Sequence, residues 1–211
     1  MLSQYNAFLE NSFQILNKVY FDSALPSVII TIQSCKKAYG YITTRKIWKR
    51  ATEQYYEINI TAEYLARPIE EVLSTLLHEM VHLYCMVNNI NDTSKNGTYH
   101  NKRFKEEAEK RDLKIEYVNY YGYTKTSPTE KLIEVIHEYG LNQSIEYYRQ
   151  SESFISTGND DDKGTGEDGI SVKRKSSTRK YICPSCKVSV RATKNLYIIC
   201  GTCMVTMLRQ E

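Results

Sequence analysis

Proline and glycine are scarce, at 4 and 9 of 211 residues, so the chain is neither collagen-like nor a Pro/Gly-rich low-complexity polymer. No apolar stretch exceeds a few residues, far short of the roughly 20 that a membrane helix needs. The opening MLSQYNAFLENSF lacks both a basic n-region and a continuous apolar h-region, which argues against a secretory signal and predicts a cytoplasmic protein with no membrane partner. In that compartment the 6 cysteines are expected to be thiols or metal ligands rather than disulfides. Histidine is rare too: with 4 in the chain, a metal site built from imidazoles has few candidates. One Trp and 5 Phe stand against 18 Tyr, which a Tyr-rich core and surface explains more simply than a stacking surface for bases.

What is present is globular, with 41% hydrophobic and 25% charged residues, enough for one domain of ordinary size and a small appended unit. The net charge of +3 hides an asymmetry. Residues 173–211 carry nine Lys/Arg and one acid, and the other 172 residues carry 19 Lys/Arg against 24 Asp/Glu. A basic end on a mildly acidic body predicts a polyanion partner for that end, the plainer alternative being a solvated basic surface.

Periodicity predicts a helix over residues 4–20, then strands over 28–32, 38–42 and 55–60. Residues 43–53, with four cations around Trp48, read as an exposed hairpin or loop. A second helix is predicted over 68–87, with Pro68 at its first position, followed by a turn-rich loop over 88–97. Further helices are predicted over 101–111 and 127–140, the last with a capping box of Ser127 and Glu130. Residues 151–180 carry almost no large apolar side chains and change from acidic to basic, and are read as a flexible linker. The predicted organisation is therefore α+β, with a domain over 1–150, a linker over 151–180 and a small cysteine module over 181–211.

His78-Glu79-Met80-Val81-His82 is an HExxH motif inside an apolar-periodic helix. Spacing i to i+4 puts both imidazoles on one face, one turn apart, where they can share a Zn²⁺. Glu79 is then placed to take a proton from a water activated by the metal, the chemistry of a metallopeptidase. The blander reading is two structural histidines on a core helix. A catalytic zinc needs a third ligand, for which His100 leads, with Glu106 and Glu107 as rivals. Asn88 and Cys85 exclude the longer metzincin pattern. Cys85 is expected to be a packed thiol and His137 a surface residue.

Several segments together resemble the SprT-like family, which includes the bacterial SprT proteins and the protease domain of the DNA–protein crosslink protease Spartan. LNKVYFDSALPSVIITI resembles its helix, turn and first strand, and AYGYI and YEINI its middle strands. HEMVH and HNKRFKEEAEKRDL resemble its metal site and the helix after the third histidine. The resemblance covers about residues 5–115 and recurs at the C-terminal cysteines. Asn101 departs from the glycine common after the third histidine. The resemblance implies a minimal zincin-like metallopeptidase domain, a small sheet beside the HExxH helix, and cleavage of proteins associated with or crosslinked to DNA.

Cys183-Pro-Ser-Cys186 and Cys200-Gly-Thr-Cys203 have the spacing of a zinc ribbon, each CxxC offering two thiolates to one ion. Residues 187–191 and 196–199 are expected to form a hairpin between the knuckles, with Gly201 where a knuckle turn needs it. Two zinc ions follow, one catalytic and one structural. Lys173, Arg174, Lys175, Arg179 and Lys180 are expected to contact phosphates of nucleic acid without sequence preference, with the nucleoid as a further address. Two functional classes remain open: a peptidase acting on protein or peptide substrates near nucleic acid, or a non-catalytic zinc-binding factor associated with nucleic acid or transcription.

Overall fold

Tyr5, Leu9, Phe13 and Leu16 recur at helical spacing and are buried together, so Leu2–Phe21 forms one helix, α1. The computed structural model describes residues 2–35, 38–95, 97–150 and 179–210. Its contacts divide the chain into two units, Met1–Gly158 and Asn159–Glu211. Asn17 closes the turn after α1: its side chain accepts from the Leu25 amide at 3.1 Å.

Strands β1 (Val28–Gln33), β2 (Gly40–Ile42), β3 (Trp48–Arg50) and β4 (Glu53–Thr61) make the first sheet, in the order β1-β4-β2 with β3 paired to the start of β4. β1 runs parallel to β4, and β2 and β3 run antiparallel to it. The predicted exposed segment thus contains a strand, β3, that extends β4 into a ribbon. Along β4, Ile58 and Ile60 join the core, while Glu57, Asn59 and Thr61 between them are buried polar residues. Asn59 Oδ1 accepts from the Gln33 amide at 2.7 Å and from Thr31 Oγ1 at 3.1 Å, which removes the cost of burying that amide.

Helix α2 (Ile69–Val87) carries the HExxH motif. Pro68 is its N-cap rather than its first residue. Val72, Leu73, Leu76, Leu77, Met80 and Val81 have no exposed surface. Each contributes roughly 1.5–3 kcal/mol by burial, against about 1 kcal/mol for a typical hydrogen bond. Apolar packing therefore fixes this helix, and with it the positions of its polar side chains.

The loop after α2 contains two short strands, β5 (Thr93–Ser94) and β6 (Tyr99–His100). Helix α3 (Lys102–Glu109) follows, then a hairpin that sequence periodicity did not predict: β7 (Leu113–Val118) and β8 (Gly122–Pro128). These strands form a second sheet, β5-β6-β8-β7. Ser127 and Pro128 are held in β8 by pairing with Lys114 and Leu113, so they cannot start a helix. Helix α4 is accordingly shorter, Glu130–Glu138, and its cap is Thr129, whose Oγ1 accepts from the Leu132 amide at 3.3 Å. The first unit is a mixed α+β fold with four helices among the described residues.

The second unit has three strands, β9 (Arg179–Ile182), β10 (Ser189–Ala192) and β11 (Leu208–Gln210), with β9 in the middle. The expected hairpin is corrected by this pairing. Residues 189–192 pair with β9, and residues 196–199 contribute only an isolated bridge from Ile199 to Thr206. The rest of the expected linker lies outside the described residues, but its last two positions, Arg179 and Lys180, belong to β9. No helix among the described residues is long and apolar enough to cross a membrane.

Candidate metal centres

Helix α2 sets His78 and His82 one turn apart, and β6 brings His100 to meet them. The three Nε2 atoms form a small triangle: 3.2 Å between His78 and His82, 3.3 Å between His78 and His100, and 3.0 Å between His82 and His100. The far side of each helical ring determines what these atoms can do. His82 Nδ1 lies 2.6 Å from Asp92 Oδ2 and donates to that carboxylate. Thr126 Oγ1 donates to the Thr124 carbonyl at 3.3 Å, so it accepts from His78 Nδ1 at 2.7 Å. With Nδ1 the donor on both rings, the neutral form of each carries its lone pair on Nε2.

In that form the Nε2 lone pairs face one another, an arrangement that a cation between them satisfies. The separations are also close to the ~3.3 Å edge of a tetrahedron with zinc–nitrogen bonds of about 2.05 Å. The residues present therefore fit a metal ion. Burial and the other two imidazoles hold His78 well below the usual histidine range. Burial, then His82, lowers His100 to about 4, so near neutral pH it too is an uncharged ligand.

Glu79 follows the first histidine and is 6% exposed. Burial pushes its carboxyl up to about 7, with His82 and a hydrogen bond at the Ile42 backbone pulling the other way and Asp92 adding to the rise. Strand β2 passes close beside it. A Cβ on Gly40 would come within 2.9 Å of both the Asn59 carbonyl and Thr75 Cγ2, and 3.5 Å from Glu79 Cγ. Of the rivals for the third ligand, Glu107 is paired with Arg111 at 2.8 Å and Lys110 at 2.7 Å, and Glu106 lies exposed.

Four supporting residues were not singled out from the sequence. Phe104 on α3 is fully buried and packs against all three imidazoles, its ring centroid 4.6, 4.5 and 4.8 Å from those of His78, His82 and His100. Asp92 and Thr126 orient the two helical ligands. Gly122 has φ +78 and lies against the carbonyl of His100, which a Cβ there would approach to 2.1 Å. Asn101 caps α3 by accepting from the Arg103 and Phe104 amides at 2.8 and 3.3 Å. Its Nδ2 donates to the Asn91 carbonyl at 2.8 Å and its backbone amide to the Asp92 carbonyl at 3.0 Å. Asn101 thus ties His100, α3 and the Asp92 loop together. Cys85 is fully buried, which pushes its thiol up to about 12, and His137 is exposed on α4.

In the second unit, the sulfurs of Cys183, Cys186, Cys200 and Cys203 lie within 4.8 Å of one another. The two CxxC turns repeat the same bonds. Cys183 N donates to Val188 O and Cys200 N to Val205 O, each at 2.9 Å; Lys187 N returns to Cys183 O at 3.0 Å and Met204 N to Cys200 O at 2.8 Å. The left-handed positions are Lys187 (φ 63) and Met204 (φ 55), each following the second cysteine of its turn. Gly201 is not among the positive-φ residues and has open space at its Cβ position, so the expected need for glycine there does not hold. The Cys186 amide, 3.4 Å from Cys183 Sγ, is the main influence that lowers that thiol to about 7. Four sulfur donors in one cluster suit a soft or borderline cation such as zinc.

Lys173, Arg174 and Lys175 lie outside the described residues. Arg179 Nη1 donates to the Thr193 carbonyl at 2.6 Å, and Lys180 is half-buried in β9.

A mixed α+β unit with three converging imidazoles, accompanied by a four-cysteine cluster, is the class that fold and sites define. The model of the SprT-like family matches residues 9–138, and the chain belongs to that family. The match extends past residue 115, where the sequence resemblance ended, and takes in the β7–β8 hairpin and α4. No curated protein and no solved structure matches the chain.

Proposed function

We propose that the chain is a zinc-dependent metallopeptidase with a minimal zincin-like domain, and that its substrates are proteins associated with or crosslinked to nucleic acid. The observation that carries the hydrolytic reading is the triangle of three Nε2 atoms with the buried Glu79 beside it. His78, His82 and His100 hold the ion. When bound, zinc supplies Lewis acidity, polarising a carbonyl and acidifying water. Glu79 takes the proton from the attacking water at its carboxylate and passes it to the leaving amine. Its burial keeps the carboxyl out of bulk water while it does so. Asp92 and Thr126 keep the two helical imidazoles in the ligating tautomer. Phe104 closes one side of the three rings against water.

The four cysteines hold a second, structural zinc, and the basic second unit localises the enzyme on nucleic acid without sequence preference, in the cytoplasm or at the nucleoid. Lys173, Arg174 and Lys175 join Lys180 in contacting phosphates, with Arg179 bracing the sheet they lead into. The chain segment 151–178 tethers this unit to the peptidase.

The test is metal content together with proteolysis of a DNA-bound protein, on wild type and on Glu79→Gln. Two zinc ions per chain in both proteins, with turnover lowered at least ~100-fold in the variant, supports the reading. A variant that cleaves as well as the wild type removes Glu79 from the chemistry. Two ions with no cleavage by either protein returns the chain to a non-catalytic zinc-binding factor.

A further inference from the structure

The ribbon made by β3 and the start of β4 contributes nothing to either metal centre, and its composition is unusual for the first unit. Every residue from position 44 to 54 is exposed. Within that stretch Arg45, Lys46, Lys49 and Arg50 are cations, and none forms an ion pair among the described residues. The one acid on the ribbon, Glu53, lies across from Arg50 and accepts from the Tyr55 hydroxyl. Between the cations, Ile47 is 59% and Trp48 42% exposed.

Trp48 is not left loose. Its indole N–H donates to Glu57, a carboxylate only 4% exposed whose other oxygen accepts from Tyr41 Oη at 2.9 Å. A buried carboxylate is costly, and here it fixes the orientation of a ring that still exposes 42% of its residue's surface. Trp48 also lies across from Tyr55 in the β3–β4 register. With Ile29, Lys49 and Arg50 these two rings line a shallow depression of about 320 Å³. An oriented indole beside a second ring, with cations around them that form no ion pair among the described residues, is the combination that stacks bases and neutralises phosphates.

We infer that the β3–β4 ribbon is a binding surface for single-stranded nucleic acid, with an unpaired base against Trp48 and the backbone along Arg45, Lys46, Lys49 and Arg50. The ribbon begins directly after β2, the strand whose Ile42 backbone meets Glu79. A strand held there lies on β3 and β4, and β4 also pairs with β2, so it is anchored within the sheet whose β2 borders Glu79 and independently of any contact made by the second unit. The inference does not depend on whether that site hydrolyses peptides.

Trp48 is the one tryptophan in the chain, so its emission reports on this surface alone. The experiment titrates the full-length protein with oligothymidylate of about 20 nucleotides, following Trp48 emission and the oligonucleotide's anisotropy together. The expected result is saturable quenching, weaker with a duplex of the same length. Replacing Arg45, Lys46, Lys49 and Arg50 by Gln lowers the affinity read by quenching at least ~10-fold and reduces its dependence on log salt by about 3. The Lys49→Gln/Arg50→Gln pair moves both readings in the same direction by about half as much, which guards against a misfolded quadruple variant. Three outcomes overturn the inference: anisotropy that rises while Trp48 emission stays unchanged, equal quenching by polyglutamate, or equal quenching by the duplex.

Discussion

The runs from His78 to His100 and from Cys183 to Cys203 are of similar length, yet the chain supports the two clusters by different means. The cysteine cluster is made by two short turns with the same hydrogen bonds, and the buried apolar residues around it are few: Tyr181 and Met207 beside Cys183 and Cys200. The histidine cluster sits on a helix locked into a core that runs from Tyr5 to Ile145, and its ligands are oriented by Asp92 and Thr126 from outside that helix. In the first arrangement a bound ion would substitute for a core. In the second the core exists anyway and an ion would be an addition. A site whose fold survives without its metal can leave a coordination position free for chemistry, whereas one that depends on the metal for folding uses all four ligands.

That contrast can be broken at the cysteines first. Cys183→Ser should unfold the second unit outright, with loss of amide protection across β9, β10 and β11 and none lost in α2, as read by hydrogen exchange. Persistence of the β9 amides would show that the small core suffices alone. The histidine site should respond more gently. Asp92→Asn is expected to weaken metal binding there by about 10–100-fold, measured by competition with a chelator, while the fold of the first unit persists.

A third test uses pH on metal-free protein, with Trp48 fluorescence reporting on the first unit. His78 and His100 titrate lower in the fold than the 6.5 of a free imidazole, so between that value and about 4 the unfolded chain binds more protons. Their contribution is complete above pH 6.5 and is lost as pH falls through the folded values. Glu79 works in the opposite direction, because its folded value of about 7 lies above the ordinary 4.5. Two groups outweigh one, so the denaturation midpoint should fall from pH 7.5 to pH 5, and more steeply in Glu79→Gln. A flat profile would mean that the apo imidazoles are solvated. The smallest effect is expected from Asn101→Ala, a loss of about 1 kcal/mol from the α3 cap, while Asn101→Gly loses only a few tenths. Equal losses would show that the bond to the Asn91 carbonyl matters more than the cap.

Much of this was legible where chemistry is local. HExxH fixes two ligands because a helix repeats every 3.6 residues, and the apolar positions around it identify the helix. CxxC pairs are similarly self-contained. The third ligand was narrowed by scarcity, since few histidines remained, and the structure brings His100 rather than Glu106 or Glu107 to the pair. Asp92, Thr126 and Phe104 were not legible, because each acts through a contact between elements and none belongs to a local pattern. The β7–β8 hairpin was missed for a related reason. β8 is mostly polar, Tyr-Thr-Lys-Thr-Ser, and is a strand through its pairing with β7 rather than through a buried face. The same pairing moved the α4 cap from Ser127 to Thr129. At the knuckles, glycine was expected where none is required, and the left-handed turns fall to Lys187 and Met204.

Gly122 gives the histidine site a hidden dependency. It makes no bond to a ligand side chain and carries no chemistry, yet its backbone crosses so close to the His100 carbonyl, at a positive φ, that any L-amino acid there must push the third ligand away. A screen for inactivating substitutions would therefore report a position that looks inert on inspection of the sequence. A φ of +78 lies in the left-handed region that L side chains rarely adopt, so the backbone angle and the missing side chain both matter here. What His100 requires of this residue is an empty space where every other L-residue carries a carbon.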